Sequence, residues 1–229
     1  LTQAEAIYKD IIRLDNKNPW YINRLVSIYD YKYKNIETMP PSEKETYRKK
    51  IEELTRKAKN SDPQNPLFIL NLAFFLHKDQ QINEAIPLYE KVLEIDPRMS
   101  EAAFNLADIY RKKNQVNRAI EYYELIKQTN PNQKNIDRAL ISSYIQTQQY
   151  KKALPLLNSI LEKEPGNFEA LKNISAIYSQ LATDSFNLNT WNTAAHYYKK
   201  TLDYYPKETD LYEFYIQALY NSHQFDRAQ

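Results

Sequence analysis

The chain has 229 residues, with 31 Lys and Arg against 29 Asp and Glu, no cysteine, and a single glycine at Gly166. Because glycine supplies the positive-φ turns of β-hairpins and the loops that cradle phosphates, this composition argues against β-rich folds and excludes glycine-motif nucleotide sites. The near-neutral charge gives nucleic-acid binding little support, and the lack of cysteine excludes disulfides and thiolate metal sites.

A helical chain remains, and its sequence repeats with a period of 34 residues. Proline keeps this step at Pro63, Pro97, Pro131 and Pro165, and alanine keeps it at Ala85, Ala119 and Ala153. Within each period, apolar residues fall at helical spacing on two short segments, and the proline closes the second one. Because two short helices cannot bury both of their apolar faces, neighbouring hairpins must stack. The sequence predicts about twelve helices in an all-α array of antiparallel hairpins.

In chain order, we expect a half repeat over 1–18 that begins inside a second helix, Ala4–Leu14. Residues 19–65 form a repeat with a 13-residue insertion, because Asn16 and Pro63 are 47 residues apart. Regular repeats follow over 66–99, 100–133 and 134–167. Residues 168–208 form a repeat with a 7-residue insertion near Thr183–Asn189, because Pro165 and Pro206 are 41 residues apart, and 209–229 is a truncated repeat. Since both ends cut a hairpin, we expect a fragment of a longer array.

The insertion in the first full repeat predicts a loop at Met39–Pro41. Ser42 and Glu45 have the spacing of a capping box, which predicts a helix from there to about Asn60. Pro87 and Pro155 occupy equivalent positions, and proline deep in a helix is costly, so both are expected in or near the first turn of their helices. The repeated alanines, with Ala194, are expected to be buried where helices cross closely.

The pattern resembles the tetratricopeptide repeat family. Residues 105–110 (NLADIY), 118–123 (RAIEYY) and Pro131 match its core positions closely, and the resemblance extends over nearly the whole chain. It implies a right-handed α-solenoid whose first helices line a concave groove that binds peptides. The glycine that the family usually has between its two helices is replaced here, so we expect left-handed turns at Gln80, Asn114, Gln148 and His223.

The resemblance also implies which residues line the groove. Three asparagines would hold a peptide backbone, since an amide both donates and accepts: Asn71, Asn105 and Asn173. Four apolar residues would form a trough: Leu67, Leu70, Phe74 and Phe104. Five cations would favour an acidic ligand: Lys78, Arg111, Lys112, Arg138 and Lys172. Each group also has a plainer interpretation, namely hydrogen bonds within the scaffold, core packing and solvated surface.

The sequence therefore predicts a non-catalytic scaffold that binds a peptide or helical segment of a partner protein. Only Asn105 matches the carboxylate clamp of chaperone-binding family members; the other positions carry Leu70, Phe74, Asn135 and Ala139. No catalytic motif, metal site or cofactor is predicted, no apolar run predicts a membrane span, and no location is predicted. Two alternatives stay open: a substrate-presenting region of a larger enzyme, and RNA binding by a related helical repeat.

Overall fold

The structure is a computed structural model, and it describes residues 2–14, 18–35, 40–133, 135–185 and 187–222. These residues form twelve α-helices and no strand, which confirms the predicted all-α fold. The helices are α1 (Thr2–Leu14), α2 (Pro19–Asn35), α3 (Pro41–Ser61), α4 (Pro66–Lys78), α5 (Ile82–Ile95), α6 (Ser100–Lys112), α7 (Val116–Thr129), α8 (Ile136–Gln146), α9 (Tyr150–Lys163), α10 (Phe168–Ser185), α11 (Leu188–Tyr204) and α12 (Asp210–Asn221).

The chain divides into two compact units, Leu1–Gln133 and Lys134–Gln229. The first contains α1 to α7 and the second α8 to α12. Within each unit, helices pack mainly against their neighbours in sequence. Because the connections between them are short, successive helices run antiparallel, as the repeat pattern predicts. None of the described helices is both long and apolar enough to cross a membrane.

Helix length follows the two insertions. The regular helices α4 to α7 have 13 or 14 residues, whereas α2 and α3 have 17 and 21. In the second unit, α10 and α11 have 18 and 17 residues. The extra residues are thus accommodated largely as added helical turns. As a result, α3 has residues that no regular repeat supplies.

Small side chains occupy the centre of four hairpins. Ala85 and Ala119 in the first unit, and Ala153 and Ala194 in the second, are completely buried. This confirms the prediction, and the reason is that close helix approach leaves no room for a larger side chain. The buried large residues of the first unit include Phe68, Tyr89, Leu106 and Ile126. In the second unit, Tyr198, Leu202, Leu211 and Leu219 belong to one buried cluster.

The turns within the three regular hairpins each contain a left-handed residue, as expected. Gln80, Asn114 and Gln148 have φ angles of 62°, 58° and 57°, while His223 lies outside the described residues. At the first of these turns, the Gln81 amide donates to the Leu76 carbonyl at 2.8 Å and the Gln80 amide donates to the His77 carbonyl at 3.1 Å. This is the hydrogen-bond pattern of a Schellman motif, whose left-handed position usually carries glycine. The hydrogen bonds of the motif offset the conformational cost of glutamine there.

The predicted capping box at Ser42 was wrong. Helix α3 begins at Pro41, its N-cap is Pro40, and no side chain caps it. Proline at the first helical position has a fixed φ suited to a helix and lacks a donor that would otherwise need a partner. The helix therefore starts at the proline, and Ser42 already lies in its first turn. Its end at Ser61 agrees with the predicted end near Asn60, and Met39 lies outside the described residues.

Pro87 and Pro155 lie deeper in their helices than predicted. Each is the sixth residue of its helix, α5 (Ile82–Ile95) or α9 (Tyr150–Lys163), and so lies in the second turn. A proline there removes one hydrogen bond to the carbonyl four residues earlier, at Asn83 or Lys151. Both prolines and both of these earlier residues are exposed. Water can therefore bond the released carbonyls, which lowers the cost that the prediction assumed.

Candidate functional site

A cleft of about 330 Å³ opens in the first unit between α2, α3, α4 and α6. Three of the predicted groove residues line it: Asn71, Phe74 and Lys78. The remaining lining residues, which sequence reasoning did not identify, are Asn23, Val26, Ser27, Arg48, Ile51, Thr55, Phe75, Asp79 and Glu101. Most of these come from α2 and α3, the hairpin that carries the insertion.

The cleft lies beside Thr55, a small residue at a position where the following repeats have large ones. At steps of 34 residues, Thr55 is followed by Tyr89, Tyr123 and Leu157, all of which are buried. Thr55 is also buried, and its hydroxyl donates to the Ile51 carbonyl of its own helix at 2.9 Å. Thr55 is much smaller than the tyrosines and the leucine at this position, and it lines the cleft. This break in the tyrosine step was visible in the sequence.

The cleft has apolar walls and one amide pair. Val26, Ile51 and Phe75 are buried, and Phe74 is 39% exposed at the opening. The Asn71 side-chain amide donates a short hydrogen bond to the side-chain oxygen of Asn23, which joins α4 to α2. Asn71 thus has a partner within the scaffold, and a ligand would have to share or replace that hydrogen bond.

Arg48 forms the charged rim. Its guanidinium donates to both carboxylate oxygens of Glu45 at 2.7 and 2.8 Å and to Asp79 at 2.9 Å. Glu52 lies 3.6 Å away. The hydrogen bond to Glu45 outweighs partial burial and raises the pKa of Arg48. Because three carboxylates surround this guanidinium, it holds α3 against the C-terminal end of α4 and offers little charge to a ligand.

A second polar group lies between α4 and α6. The His77 Nδ1 atom is 3.3 Å from the Tyr89 hydroxyl. Burial, aided by nearby Lys112 and opposed by Asp108, lowers the pKa of His77. Asp108 contacts Arg111 at 2.9 Å and Lys112 at 2.6 Å. Although burial would raise the pKa of Asp108, the hydrogen bonds from Lys112 and Arg111 lower it below its ordinary value. The two predicted cations therefore share a carboxylate, and the surface is less basic than expected.

Other predicted residues of the first unit differ in their access to solvent. Leu67 is 39% exposed, but Leu70 is only 4% exposed and belongs to the core, so it is not available to a ligand. Phe104 is partly buried and packs edge-on against Tyr123, with ring centroids 6.1 Å apart. The Asn105 side chain donates to the Glu101 carbonyl at 2.8 Å. Asn105 thus has a hydrogen-bond partner within its own helix.

Three predicted residues belong to the second unit. Arg138 on α8 and Lys172 on α10 are exposed, and Asn173 is partly buried. The Lys172 ammonium lies 5.6 Å from the centre of the Phe168 ring, a cation–π contact. Over the described residues of both units, no three His, Asp or Glu side chains are grouped to hold a metal ion.

A family model for the tetratricopeptide repeat matches residues 76–142. Residues 76–142 carry tetratricopeptide repeats. The match includes Lys78, Asp79 and Glu101 of the cleft but ends short of α2 and α3. The wall that contains Thr55 and Arg48 therefore lies outside the part that the family model describes.

Solved structures of tetratricopeptide repeat proteins share the fold. YrrB, described as having an unusual peptide-binding site, is 18% identical, with a TM-score of 0.54 over 76% of this chain and 86% of its own. A tetratricopeptide repeat protein from Parabacteroides merdae is 18% identical, with a TM-score of 0.54 over 89% and 75%. MamA is 19% identical, with a TM-score of 0.53 over 81% and 94%. No curated protein matches the sequence.

Proposed function

We propose that this tetratricopeptide repeat chain is a non-catalytic scaffold that binds a peptide or helical segment of a partner protein. The ligand lies along α4 and α6 in the first unit and enters the cleft beside Phe74. The observation that carries this proposal is the cleft itself, which combines buried apolar walls with an exposed aromatic ring at its opening. Recessed apolar space with a few polar groups is the usual form of a binding site.

Apolar contact supplies most of the binding free energy in this proposal. Leu67 and Phe74 are exposed large side chains on α4 that a ligand would cover, and Phe104 on α6 is partly accessible. Asn71 and Asn105 lie among them, and each amide retains hydrogen-bonding capacity beyond its scaffold contact. Lys78, Arg111 and Lys112 add charge at the margin. Arg138, Lys172 and Asn173 are proposed as a similar surface in the second unit.

The description of YrrB as a peptide-binding tetratricopeptide repeat protein supports a peptide as the ligand. The same class of ligand suits a cleft that is open along one side, because an extended chain can lie across it and insert one side chain. Interaction energy in such complexes is concentrated in a few buried anchors. Phe74 is the residue of this chain best placed to contact such an anchor.

The first experiment is selection of peptides from a randomised library on the purified chain. Phe74→Ala should then weaken binding of a selected peptide roughly 5- to 30-fold, the effect of losing about 1–2 kcal/mol at an interface anchor. The matched control is Phe214→Ala, because Phe214 is an exposed phenylalanine on α12 in the second unit. If both variants bind like the parent chain, the ligand does not lie over Phe74.

The asparagines are tested by the double change Asn71→Ala and Asn105→Ala. Under the proposal, affinity for the selected peptide falls while the thermal unfolding midpoint is nearly unchanged. Unchanged affinity with a large loss of stability would assign both residues to the scaffold alone. The test includes this second outcome because both side chains already have hydrogen-bond partners in the chain.

A further inference from the structure

The position of Thr55 holds a large side chain in the repeats that follow. Tyr89 and Tyr123 are both buried there. Tyr89 packs edge-on against His77, with ring centroids 6.0 Å apart, and Tyr123 packs edge-on against Phe104. In α9 the position is Leu157, and the proline and alanine register of α11 brings Tyr198 to it; both are buried. The chain thus fills this space from within in these repeats, by an aromatic ring in three of four cases.

The first helix of the same hairpin, α2, also has a smaller residue at a position where α4 and α6 have large apolar ones. Phe104 is the fifth residue of α6, Leu70 the fifth of α4, and Asn23 the fifth of α2. Asn23 and Thr55 both line the cleft. Two large-to-small differences therefore coincide at one place, and together they leave room where the repeats over 66–99 and 100–133 have two large apolar residues.

The walls of the space suit a ring. Val26, Ile51 and Phe75 supply apolar surface, and the Arg48–Asp79 ion pair lies at the rim. A volume of about 330 Å³ exceeds that needed for one side chain and falls at the lower end of ligand-site volumes, about 300–1,000 Å³. Aromatic side chains bury a large area with little conformational entropy to lose, which favours them as anchors.

We infer that the cleft accepts an aromatic side chain of the bound peptide, in the space that a tyrosine of the chain fills in neighbouring repeats. This inference rests on the proposed function and specifies the class of residue that the ligand inserts. The inserted ring packs between Thr55, Ile51 and Phe74, and the peptide backbone passes the Asn23–Asn71 amide pair at the opening.

A small probe tests the cleft without any peptide. p-Cresol reproduces the tyrosine side chain and can be titrated while the methyl signals of Val26, Ile51 and Thr55 are followed by NMR. We expect saturable shifts at these methyls, with a dissociation constant on the order of 1 mM for so small a ligand. Absence of saturable shifts at these methyls would overturn the inference.

The decisive variant fills the cleft with a side chain of the protein itself. Thr55→Tyr places the residue of the following repeats at this position and should abolish the p-cresol shifts at Ile51 and Val26. The matched control, Thr46→Tyr, makes the same change at an exposed threonine of α3 that does not line the cleft, and it should bind p-cresol within about twofold of the parent chain. Should Thr55→Tyr fail to fold, Ser27→Phe obstructs the opening instead. Ser27 is exposed, and its hydroxyl bonds the Asn23 carbonyl of its own helix at 3.1 Å.

A peptide selection separates this inference from the proposed function. We expect selected peptides to share one aromatic position and to lose at least tenfold in affinity for Thr55→Tyr. Peptides that bind Thr55→Tyr as well as the parent chain would overturn the inference and leave the scaffold function standing. If no peptide is selected although p-cresol binds, the proposed function fails while the cleft's preference for a ring survives.

Discussion

The second helices of two neighbouring hairpins, α3 and α5, place opposite sizes of side chain at equivalent positions. Helix α3 has Ile51 and Thr55, and α5 has Ala85 and Tyr89, 34 residues further along the chain. All four are buried. In α5 the alanine permits a close helix crossing and the tyrosine fills the space beyond it. In α3 the larger residue lies at the crossing and the smaller one beyond it, and a cleft opens.

This comparison shows that hydrophobic content alone does not decide whether a repeat closes its core. Exchanging the large and the small residue along one helix redistributes volume with little change in total apolar surface. Because protein interiors are packed at near-crystalline density, side chains at other positions do not move to fill space left at one position. A repeat can therefore remain folded and still carry a pocket.

The largest effect is expected when α5 is made to resemble α3. Tyr89→Thr removes a fully buried ring. Truncation of a buried aromatic residue costs about 3–5 kcal/mol in unfolding free energy, which chemical denaturation measures. Tyr89→Phe is the control, since it removes only the hydroxyl that lies 3.3 Å from His77. A cost below about 1 kcal/mol for Tyr89→Thr would mean that the space collapses, and the cleft at Thr55 would then need another explanation.

A smaller effect is expected at the alanine position. Ala119→Leu should destabilise the chain by about 1–3 kcal/mol, because the crossing between α6 and α7 has no space for a larger side chain. Glu121→Leu on the exposed side of α7 serves as control for the change in helix composition. Ile51 already occupies the equivalent position in α3. If Ala119→Leu is neutral, alanine is not required for close packing and the contrast between the helices is weaker than it looks.

The ion pairs at the cleft rim should contribute less. Arg48→Met keeps much of the aliphatic stem and removes the guanidinium that contacts Glu45 and Asp79. We expect a loss of about 1 kcal/mol for this partly exposed network, and the difference from the parent chain should shrink in 1 M NaCl. Arg13→Met, at the exposed Arg13–Asp10 pair, is the control and should have almost no effect. A salt-independent loss would indicate lost packing rather than lost charge.

The smallest effect concerns the turns. A non-glycine residue in the left-handed region costs about 1–2 kcal/mol, and glycine loses part of that gain through its freedom in the unfolded chain. Gln80→Gly and Gln148→Gly should therefore raise stability by a few tenths to about 1 kcal/mol. Asn114→Gly should gain less, since asparagine tolerates this conformation better. Equal gains at all three turns would show that local backbone preference is not what distinguishes them.

Much of the fold was predictable from the sequence because the repeat imposes the same demands several times. Helix positions, the buried alanines and the left-handed turns each recur at the 34-residue step, so one interpretation is checked against several copies. The predictions failed where a single residue acted alone. Helix α3 begins at Pro41, its first helical residue. The exposed Pro87 and Pro155 lie in the second turn of α5 and α9.

The candidate site was less predictable than the fold. Of the groove residues in the first unit, Leu70 turned out to be buried, and Arg111 and Lys112 share one carboxylate. The sequence indicates that a residue lies on a first helix, but its exposure depends on how the neighbouring helix packs. Arg48 and Asn23 were missed because they lie in the hairpin with the insertion, where the groove prediction named no residue.

The sequence by itself determined the periodic features: an all-α chain of helical hairpins, the small residues at their crossings and the turns that join them. These depend on spacing and local backbone preference, which are properties of the sequence. Only the tertiary structure decided where space remains. A cleft forms where side chains from α2, α3, α4 and α6 fail to fill a shared volume. That volume depends on all four helices at once, so no single repeat unit could have revealed it.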